Sequence, residues 1–339
     1  MKAAHITGRG TVTITDVEPP VARPGYTILR PLMVAICGSD LRKVYHLPES
    51  DYPLPPGVSG HEIIGVVEEI GPPGAGAKRD NITVGETVLG LIPVIENGMS
   101  EYFITASDNV LSLPGTGNGL DRRDLERLLM AQQLGTVIYA CKRIGPVIGR
   151  TAAVIGQGSA GLFFNAMLKR LGADRVVAMD IVDARIDAGI RFGADFAFHS
   201  LSDDPVAFVS SVTGGAMADL VIEAVGEPET INLAAHLVAE GGELLYFGVP
   251  HEPTFHFDFQ ALYRAYCRTT STGSSGLEPG KASFREALKL IASGAIDVSG
   301  MVTHRYPFNQ VGSAYRRAHD RSGGAIKVLV EMPGLSPLD

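Results

Sequence analysis

The first part of the sequence carries a thiol, an imidazole and a carboxylate in two short motifs. Cys37 opens the segment Cys-Gly-Ser-Asp, and the pair His61-Glu62 follows 24 residues after Cys37, directly behind Gly60. Zinc is bound in proteins by thiolate, imidazole and carboxylate groups, and a catalytic zinc site uses three protein ligands and leaves one position open. A zinc ion held by these residues would lower the pKa of a coordinated alcohol, so that hydride loss from its carbon becomes easier.

Each of these residue types also has a common role that needs no metal. A lone cysteine is most often a small buried hydrophobic residue, and a histidine next to a glutamate is most often an exposed polar pair. The zinc interpretation therefore depends on the joint occurrence of Cys37, His61 and Glu62 upstream of a nucleotide-binding motif.

That second motif is a glycine-rich turn in the middle of the chain. Residues 152–155 form an apolar run typical of a buried parallel strand, and residues 156–161 read Gly-Gln-Gly-Ser-Ala-Gly before a helical pattern at 162–171. In such a turn the backbone approaches a pyrophosphate, and the helix N-terminus faces the phosphates. The context favours a dinucleotide site over an ordinary glycine-rich turn.

The residues after this turn predict which dinucleotide is bound. The next apolar strand ends in Asp180, 19 residues after Gly161, near the spacing expected of the acid that binds the ribose hydroxyls of NAD. Its charge would repel a 2′-phosphate, which favours NAD, whereas Arg185 could pair with such a phosphate and keeps NADP open. The predicted cofactor-binding residues are Gly156, Gly158, Ser159, Ala160, Gly161, Asp180, Arg185, Gly226, Gly248 and Val249.

Two kinds of pattern divide the chain into elements that would position these motifs. Short alternating runs separated by Pro and Gly predict a β-rich domain over residues 1–133, with a helix at 120–131 that begins after Asp121. Over residues 134–298, strands alternate with helices, which predicts a doubly wound parallel sheet of the α/β class. Within this region we predict a helix at 136–143 and strands at 218–223, 242–249 and 268–272. The tail, 299–339, returns to short strands and is predicted to complete the first domain.

The composition narrows the class of protein. Of the 339 residues, 45% are hydrophobic, and 29 basic against 37 acidic residues give a net charge of −8, which argues against broad nucleic-acid or anionic-membrane binding. No apolar stretch is long enough to predict a membrane span, and the N-terminal residues lack the apolar region of a signal peptide. The three cysteines are too few for a disulfide framework, so we expect a cytoplasmic protein.

Taken together, these motifs resemble those of the zinc-dependent medium-chain alcohol and polyol dehydrogenases, and sorbitol-dehydrogenase-like members in particular. The resemblance extends over nearly the whole chain. Its motifs are Cys37-Gly-Ser39-Asp40, Gly60-His61-Glu62-x-x-Gly65, Val84-Gly-Glu-Thr-Val88, Gly98-Met-Ser-Glu-Tyr102, the glycine turn at 156–161, and Val302-Thr-His-Arg-Tyr-Pro-Phe308. It implies a GroES-like catalytic domain that carries zinc, a Rossmann domain that carries NAD(P), a substrate cleft between them, and a homodimer or homotetramer.

The resemblance also assigns roles to individual residues. It implies that Cys37 and His61 are zinc ligands and that Ser39 takes the proton of the alcohol. The corresponding glutamate is a direct ligand in polyol-type members and an indirect one in others. Many relatives carry a further ligand just before the helix that links the domains, where this chain has Gln132. A neutral amide is a poor zinc ligand, which favours Glu62 as a direct one.

Two departures from the family pattern lead to further expectations. Members with a structural zinc carry four closely spaced cysteines in a stretch where residues 89–100 here contain none, so we expect one zinc per chain. Relatives often relay protons through a histidine five residues after the ligand cysteine, and Arg42 stands there in this chain. The relay would run through a cofactor hydroxyl, through another residue such as His46, or directly through water.

The substrate is the least defined part of the sequence interpretation. The candidates to line the pocket are Tyr45 and, as the resemblance to polyol-type members implies, Tyr102, Arg305 and Tyr306; polar groups there would suit a hydroxyl-rich substrate. Alternatively, Arg305 forms a structural salt bridge and the tyrosines pack in an interface. The loop at 47–55 lies where family members shape substrate access.

These observations predict an enzyme that oxidises a secondary alcohol of a polyol, sugar or cyclitol to a ketone, with zinc and NAD. Three alternatives remain open at this point: a simple alcohol or threonine-type amino-alcohol dehydrogenase, a zinc-free enone reductase on the same fold, and a non-catalytic NAD-binding protein. The three predicted ligands argue against the reductase, and the presence of Ser39 beside them argues against a non-catalytic role.

Overall fold

A computed structural model describes residues 1–74, 81–91, 97–115, 120–272 and 275–335. The chain divides into two compact units, one made of Met1–Thr136 together with Ser274–Asp339 and the other of Val137–Gly273. Among the described residues, no helix is both long and apolar enough to cross a membrane.

Fifteen strands and ten helices are assigned within the described ranges. The strands are β1 Lys2–Gly8, β2 Thr11–Asp16, β3 Tyr26–Ala35, β4 Glu62–Ile70, β5 Thr87–Leu91, β6 Phe103–Ala106, β7 Val110–Ser112, β8 Thr151–Ile155, β9 Arg175–Asp180, β10 Phe196–His199, β11 Ala218–Glu223, β12 Val238–Tyr246, β13 Arg268–Ser271, β14 Val302–Pro307 and β15 Lys327–Glu331. The helices are α1 Gly38–Leu41, α2 Arg122–Leu129, α3 Ala131–Cys141, α4 Ser159–Arg170, α5 Asp183–Arg191, α6 Pro205–Thr213, α7 Pro228–Leu237, α8 Phe259–Ala265, α9 Ala282–Ala292 and α10 Val311–Asp320.

The first unit is built on a seven-stranded sheet in the order β14-β15-β3-β4-β5-β7, with β6 also paired to β3. Its pairs are antiparallel except for β14 and β15. Ala35, at the end of β3, pairs with Glu62 on one side and with Leu329 on the other. The end of β3 therefore lies beside the start of β4 and the middle of β15, and Cys37 follows two residues after it.

The second unit confirms the predicted doubly wound α/β fold. Its six strands are all parallel, in the order β10-β9-β8-β11-β12-β13. The chain starts at the central β8, builds outward to β10, and then returns to add β11 beside β8. The order reverses between β8 and β11, and ligands of such sheets bind at the carboxyl ends of the strands at this point.

Local signals predicted some boundaries well and others poorly. The predicted cap of α2 is confirmed, because the Asp121 carboxylate accepts a hydrogen bond from Asp124 N at 2.8 Å. The helix predicted at 136–143 begins earlier, at Ala131. Gly135 lowers helix propensity locally, but Phe284 packs directly against it, and a β-carbon there would lie 2.4 Å from the ring. Packing therefore outweighs propensity at the start of α3.

Candidate active site

A tight turn before β4 sets the position of His61 and Glu62. Gly60 adopts φ +77°, and a β-carbon there would lie 2.9 Å from Val34 Cγ1 and 3.1 Å from Met99 N. Only glycine fits such a close approach with a positive φ. The turn therefore directs the two side chains that follow it toward the end of β3, where Cys37 lies.

The structure brings the three predicted metal ligands together. One donor atom from each of Cys37, His61 and Glu62 lies within 4.8 Å of the others. Glu62 is buried, the side chain of His61 is 12% exposed, and Cys37 is partly exposed. Within the described part of the chain, this is the group of His, Cys, Asp and Glu side chains whose spacing suits a metal ion.

The carboxylate of Asp40 contacts the segments that carry two of these ligands. Its side chain is fully buried, with Oδ2 accepting from Cys37 N at 2.9 Å and Oδ1 accepting from Gly60 N at 2.8 Å. Oδ1 also lies 3.5 Å from His61 Nδ1. Burial alone would raise the pKa of Asp40, but the charge and hydrogen bonding of His61, the charge of Lys43 and the bond from Cys37 N together outweigh burial, and the pKa falls to about 2. Conversely, burial opposes the charged form of His61, and the Asp40 carboxylate raises its pKa well above 6.5.

A second buried partner, Lys327 at the start of β15, was not predicted from the sequence. Its Nζ donates to Glu62 Oε1 at 2.8 Å and to Ile36 O at 3.3 Å, and both charged side chains are almost fully buried. Burial alone would lower the pKa of Lys327, but the Glu62 carboxylate, together with the nearby Cys37 and Asp40, outweighs burial and raises the pKa above 10.5. The partners are 265 residues apart in sequence, and the one local signal is a lysine followed by three apolar strand residues.

The donor set fits zinc. Lys327 Nζ lies 2.8 Å from Glu62 Oε2 as well, but Oε2 is buried and has no hydrogen bond of acceptable geometry from any described residue. A buried carboxylate oxygen without such a bond is costly unless something else binds it. A thiol, an imidazole and a carboxylate with an available oxygen are the ligand types that zinc selects.

The glycine turn of the second unit has the geometry of a nucleotide-binding turn. A β-carbon on Gly161 would lie 1.8 Å from Gly156 O, so α4 can pack this closely against the turn only with glycine there. Ser159 and Ala160 form the first residues of α4. The guanidinium of Arg185 reaches the same turn, because its Nη1 lies 3.9 Å from the position of a β-carbon on Gly158.

Asp180 is fixed in place by the backbone around it. Oδ2 accepts from Gln157 N at 2.6 Å, and Oδ1 accepts from Ile181 N at 2.8 Å and from Val182 N at 3.0 Å. The side chain is buried beside the glycine turn, so these bonds fix a negative charge at the end of β9.

The later strand ends bring the remaining predicted cofactor residues together. A β-carbon on Gly226 would lie 2.2 Å from Val249 O, and a β-carbon on Gly248 would lie 2.3 Å from Gly226 N. A buried carboxyl missed by the sequence analysis organises this corner: Glu223 Oε1 accepts from Val225 N at 2.8 Å and from Gly226 N at 2.9 Å. Burial raises the pKa of Glu223 above 4.5.

The four predicted substrate residues lie in the first unit and are held by protein contacts. The ring of Tyr45 stacks on His319 at 3.9 Å between centroids. Arg305 forms a bidentate salt bridge with Glu126, with bonds of 2.8 and 2.5 Å, which matches the structural alternative considered for it. The remaining contacts are a bond from Arg317 Nε to the Tyr306 hydroxyl at 3.1 Å and one from Ser100 Oγ to Tyr102 O at 2.8 Å.

The elements after Cys37 carry the residues considered for proton transfer. Ser39 lies in α1, two residues after Cys37, and is partly exposed. Arg42 and His46 are the first and last residues of the following π-helical turn. The His46 ring lies 5.8 Å from the ring of His319, with the planes tilted by 42°.

Comparison with protein-family models matches both units. A model described as an alcohol dehydrogenase GroES-like domain matches residues 23–123. A model described as a zinc-binding dehydrogenase matches residues 160–293. The two matches include all three predicted metal ligands in the first model and the end of the glycine turn in the second.

Full-length relatives carry three kinds of dehydrogenase name or title. The chain is 25% identical to the sorbitol dehydrogenase of Bos taurus, over 96% of this chain and 94% of the relative. It is 26% identical to the L-threonine 3-dehydrogenase of Thermococcus kodakarensis, over 93% of each chain. Among solved structures, an alcohol dehydrogenase from Thermus sp. ATN1 superimposes with a TM-score of 0.79 at 25% identity, over 98% of this chain and all of that one.

Proposed function

Because the chain belongs to the zinc-binding dehydrogenases with an alcohol dehydrogenase GroES-like domain, we propose that it oxidises a secondary alcohol of a polyol, sugar or cyclitol to a ketone, reversibly, with NAD as hydride acceptor. It is an oxidoreductase of the medium-chain alcohol and polyol type. The observation that carries the proposal is the group of Cys37, His61 and Glu62, whose donor atoms lie within 4.8 Å of one another.

In this proposal, Cys37, His61 and Glu62 hold one catalytic zinc per chain. Zinc bound there supplies a Lewis acid that lowers the pKa of the substrate hydroxyl. Ser39, two residues after Cys37 on α1, would relay the hydroxyl proton, accepting it while its own proton passes on toward solvent. Residues 92–96, part of the stretch where some family members carry a structural zinc, lie outside the described residues, and the sequence has no cysteine there.

The neighbouring charges keep the ligands in position. Asp40 accepts from Cys37 N and Gly60 N, so one carboxylate connects the two ligand-bearing motifs. Its position 3.5 Å from His61 Nδ1 suits a carboxylate that orients a metal-binding imidazole, an arrangement that raises ligand basicity. Lys327 Nζ lies 2.8 Å from both oxygens of Glu62 and donates a hydrogen bond to Oε1, so Oε2, which makes no hydrogen bond with any described residue, is the oxygen proposed to bind the metal.

NAD is the proposed cofactor because of the charge at Asp180. A ribose 2′-hydroxyl can donate to this carboxylate, whereas a 2′-phosphate would approach a negative charge that three backbone N–H groups fix in place. Arg185, whose guanidinium reaches the glycine turn, would then contact the cofactor beside that turn.

Asp180→Asn is expected to reduce the preference for NAD over NADP by about tenfold or more, equivalent to about 1.4 kcal/mol. The change removes the charge and keeps one amide oxygen, enough for the two backbone N–H groups that bond Oδ1. The measurement is kcat/KM with each cofactor at a saturating substrate concentration. Asp195→Asn is the matched control, because Asp195 accepts from Val176 N at the opposite end of β9. An unchanged cofactor ratio in Asp180→Asn would remove the basis for proposing NAD.

The proposed substrate class is tested by following NADH formation from polyols, sugars, cyclitols, simple alcohols and L-threonine, with NAD and NADP in parallel. Turnover of a polyol, sugar or cyclitol with NAD is the expected result. Turnover confined to L-threonine or to simple alcohols would replace the proposed substrate with that of the corresponding relatives. Cofactor binding without turnover on any of these compounds would contradict the proposal.

A further inference from the structure

We propose that Tyr315 and Ser59, a buried pair of hydroxyl groups, are positioning residues that hold the turn before His61 and Glu62 in the shape required for metal binding. The inference rests on the proposed zinc site and concerns how that site is kept assembled. Tyr315 lies on α10, near the C-terminus, and Ser59 directly precedes Gly60.

The turn contains two consecutive residues with positive φ. Gly60 adopts φ +77° and Ser59 adopts φ +104°. Glycine reaches this region freely, but a residue with a β-carbon rarely does, and it stays there only when the surroundings hold it. Ser59 is one of five non-glycine residues with positive φ among those described, and it stands two residues before a predicted metal ligand.

The backbone of the turn is held on both sides. Met99 N donates to Ser59 O at 3.1 Å, and Gly98 N donates to Gly60 O at 3.2 Å. Gly60 N donates to Asp40 at 2.8 Å. These bonds fix the carbonyl groups of Ser59 and Gly60 and the N–H of Gly60. The side chain of Ser59 is held by a separate contact.

That contact is a hydrogen bond between Ser59 Oγ and the Tyr315 hydroxyl. Both residues are fully buried, at 0% exposure. Burial raises the pKa of Tyr315, so the phenol keeps its proton and can donate. A buried hydroxyl that loses its partner is strongly disfavoured, so this bond resists any rotation of Ser59 away from Tyr315.

The helix that carries Tyr315 also touches other elements around the site. α10 contacts α1, which follows Cys37, and β15, which begins with Lys327. The hydroxyl pair therefore connects the turn that positions His61 and Glu62 to α10. This helix also contacts α1, next to Cys37, and β15, which carries Lys327. Residues that orient metal ligands in this way commonly affect metal affinity by about 10- to 100-fold.

The test measures the rate of zinc release from the zinc-loaded full-length protein into excess of a chromogenic chelator. Tyr315→Phe keeps the ring and removes the hydroxyl, and we expect release about tenfold faster than from the wild type. Ser59→Ala keeps the β-carbon and should have the same effect. Combining the two should add little to either, because both remove the same bond.

Ser59→Gly separates positioning from general packing. Glycine adopts a φ near +104° without strain, so the turn no longer needs the hydroxyl bond. We therefore expect the double variant Ser59→Gly/Tyr315→Phe to release zinc at close to the wild-type rate. The absorption spectrum of the cobalt-substituted protein should distinguish the same variants. We expect its ligand-field bands to be altered in Tyr315→Phe and to match those of the wild type in the double variant.

The matched control is a second buried hydroxyl pair in the same unit. Thr27 Oγ1 and Ser107 Oγ lie 2.9 Å apart, and both side chains are buried. Thr27 is eight residues before Ala35 on β3, or about 26 Å along the strand. Thr27→Val should leave the rate of zinc release unchanged, although it also breaks a buried hydrogen bond.

The outcomes separate this inference from the proposed function. A wild-type protein that retains no zinc would contradict the proposed function itself. A wild type that retains zinc, with release unchanged in both Tyr315→Phe and Ser59→Ala, would overturn the positioning role and leave the zinc site standing. Release that is fast in Tyr315→Phe and equally fast in the Ser59→Gly double variant would also overturn it, because that result indicates lost packing.

Discussion

Replacing Cys37 by serine is expected to remove zinc from the protein and to lower kcat/KM by about 1,000-fold or more. A neutral serine hydroxyl cannot replace a thiolate as a zinc ligand, and loss of a Lewis acid worth several kcal/mol corresponds to at least three factors of ten in rate. Zinc content measured by elemental mass spectrometry and kcat/KM measured by NADH formation should fall together.

Cys267→Ser serves as the control for this experiment. Cys267 lies in the second unit, 3.9 Å from Thr269 Oγ1, and has no part in the predicted metal site. Both variants should bind NADH as the wild type does, because the glycine turn is untouched. Full zinc content and activity in Cys37→Ser would show that the metal site lies elsewhere.

Replacing Lys327 by methionine is expected to destabilise the zinc-free protein by about 3–5 kcal/mol, the usual cost of leaving one member of a buried ion pair alone. Lys327 and Glu62 are 1% and 0% exposed, so water cannot compensate the carboxylate that remains. The free energy of unfolding in denaturant, measured at neutral pH, gives the effect directly.

Two further variants identify the cause of that loss. Lys327→Met/Glu62→Gln removes both charges and should recover most of the stability without recovering zinc binding. Lys169→Met breaks the pair with Asp195, whose side chains are 34% and 35% exposed, and should cost about 1 kcal/mol or less. A loss in Lys327→Met no larger than in Lys169→Met would mean that Glu62 does not depend on Lys327 for its charge.

The sequence predicted the parts of the fold and site that depend on neighbouring residues. The glycine turn, β9 and Asp180 occupy one continuous segment, and the order of strands and helices after residue 150 was enough to predict the parallel sheet. The GroES-like domain was predicted from motifs, and its family-model match confirms it. Cys37 and His61 were predicted as neighbours because each lies in a short motif of recognisable chemistry.

Contacts between distant segments were not predictable in this way. Lys327 reaches Glu62 because β15 pairs with β3 on the side opposite β4, a pairing that no local pattern encodes. Tyr315 meets Ser59 for a similar reason, through the packing of a C-terminal helix. Arg305 was a candidate substrate residue from the family resemblance, with a structural salt bridge as the alternative, and its side chain is paired with Glu126, 179 residues away, through a contact that no local pattern encodes.

The measurement that tests the central claim most directly is a titration of the chelator-treated protein with zinc, followed by NADH formation from the best substrate of the panel. We expect no turnover without zinc, a linear rise with added metal, and a plateau at one zinc per chain. Turnover that survives complete removal of zinc would contradict the assignment of Cys37, His61 and Glu62 as the catalytic metal site.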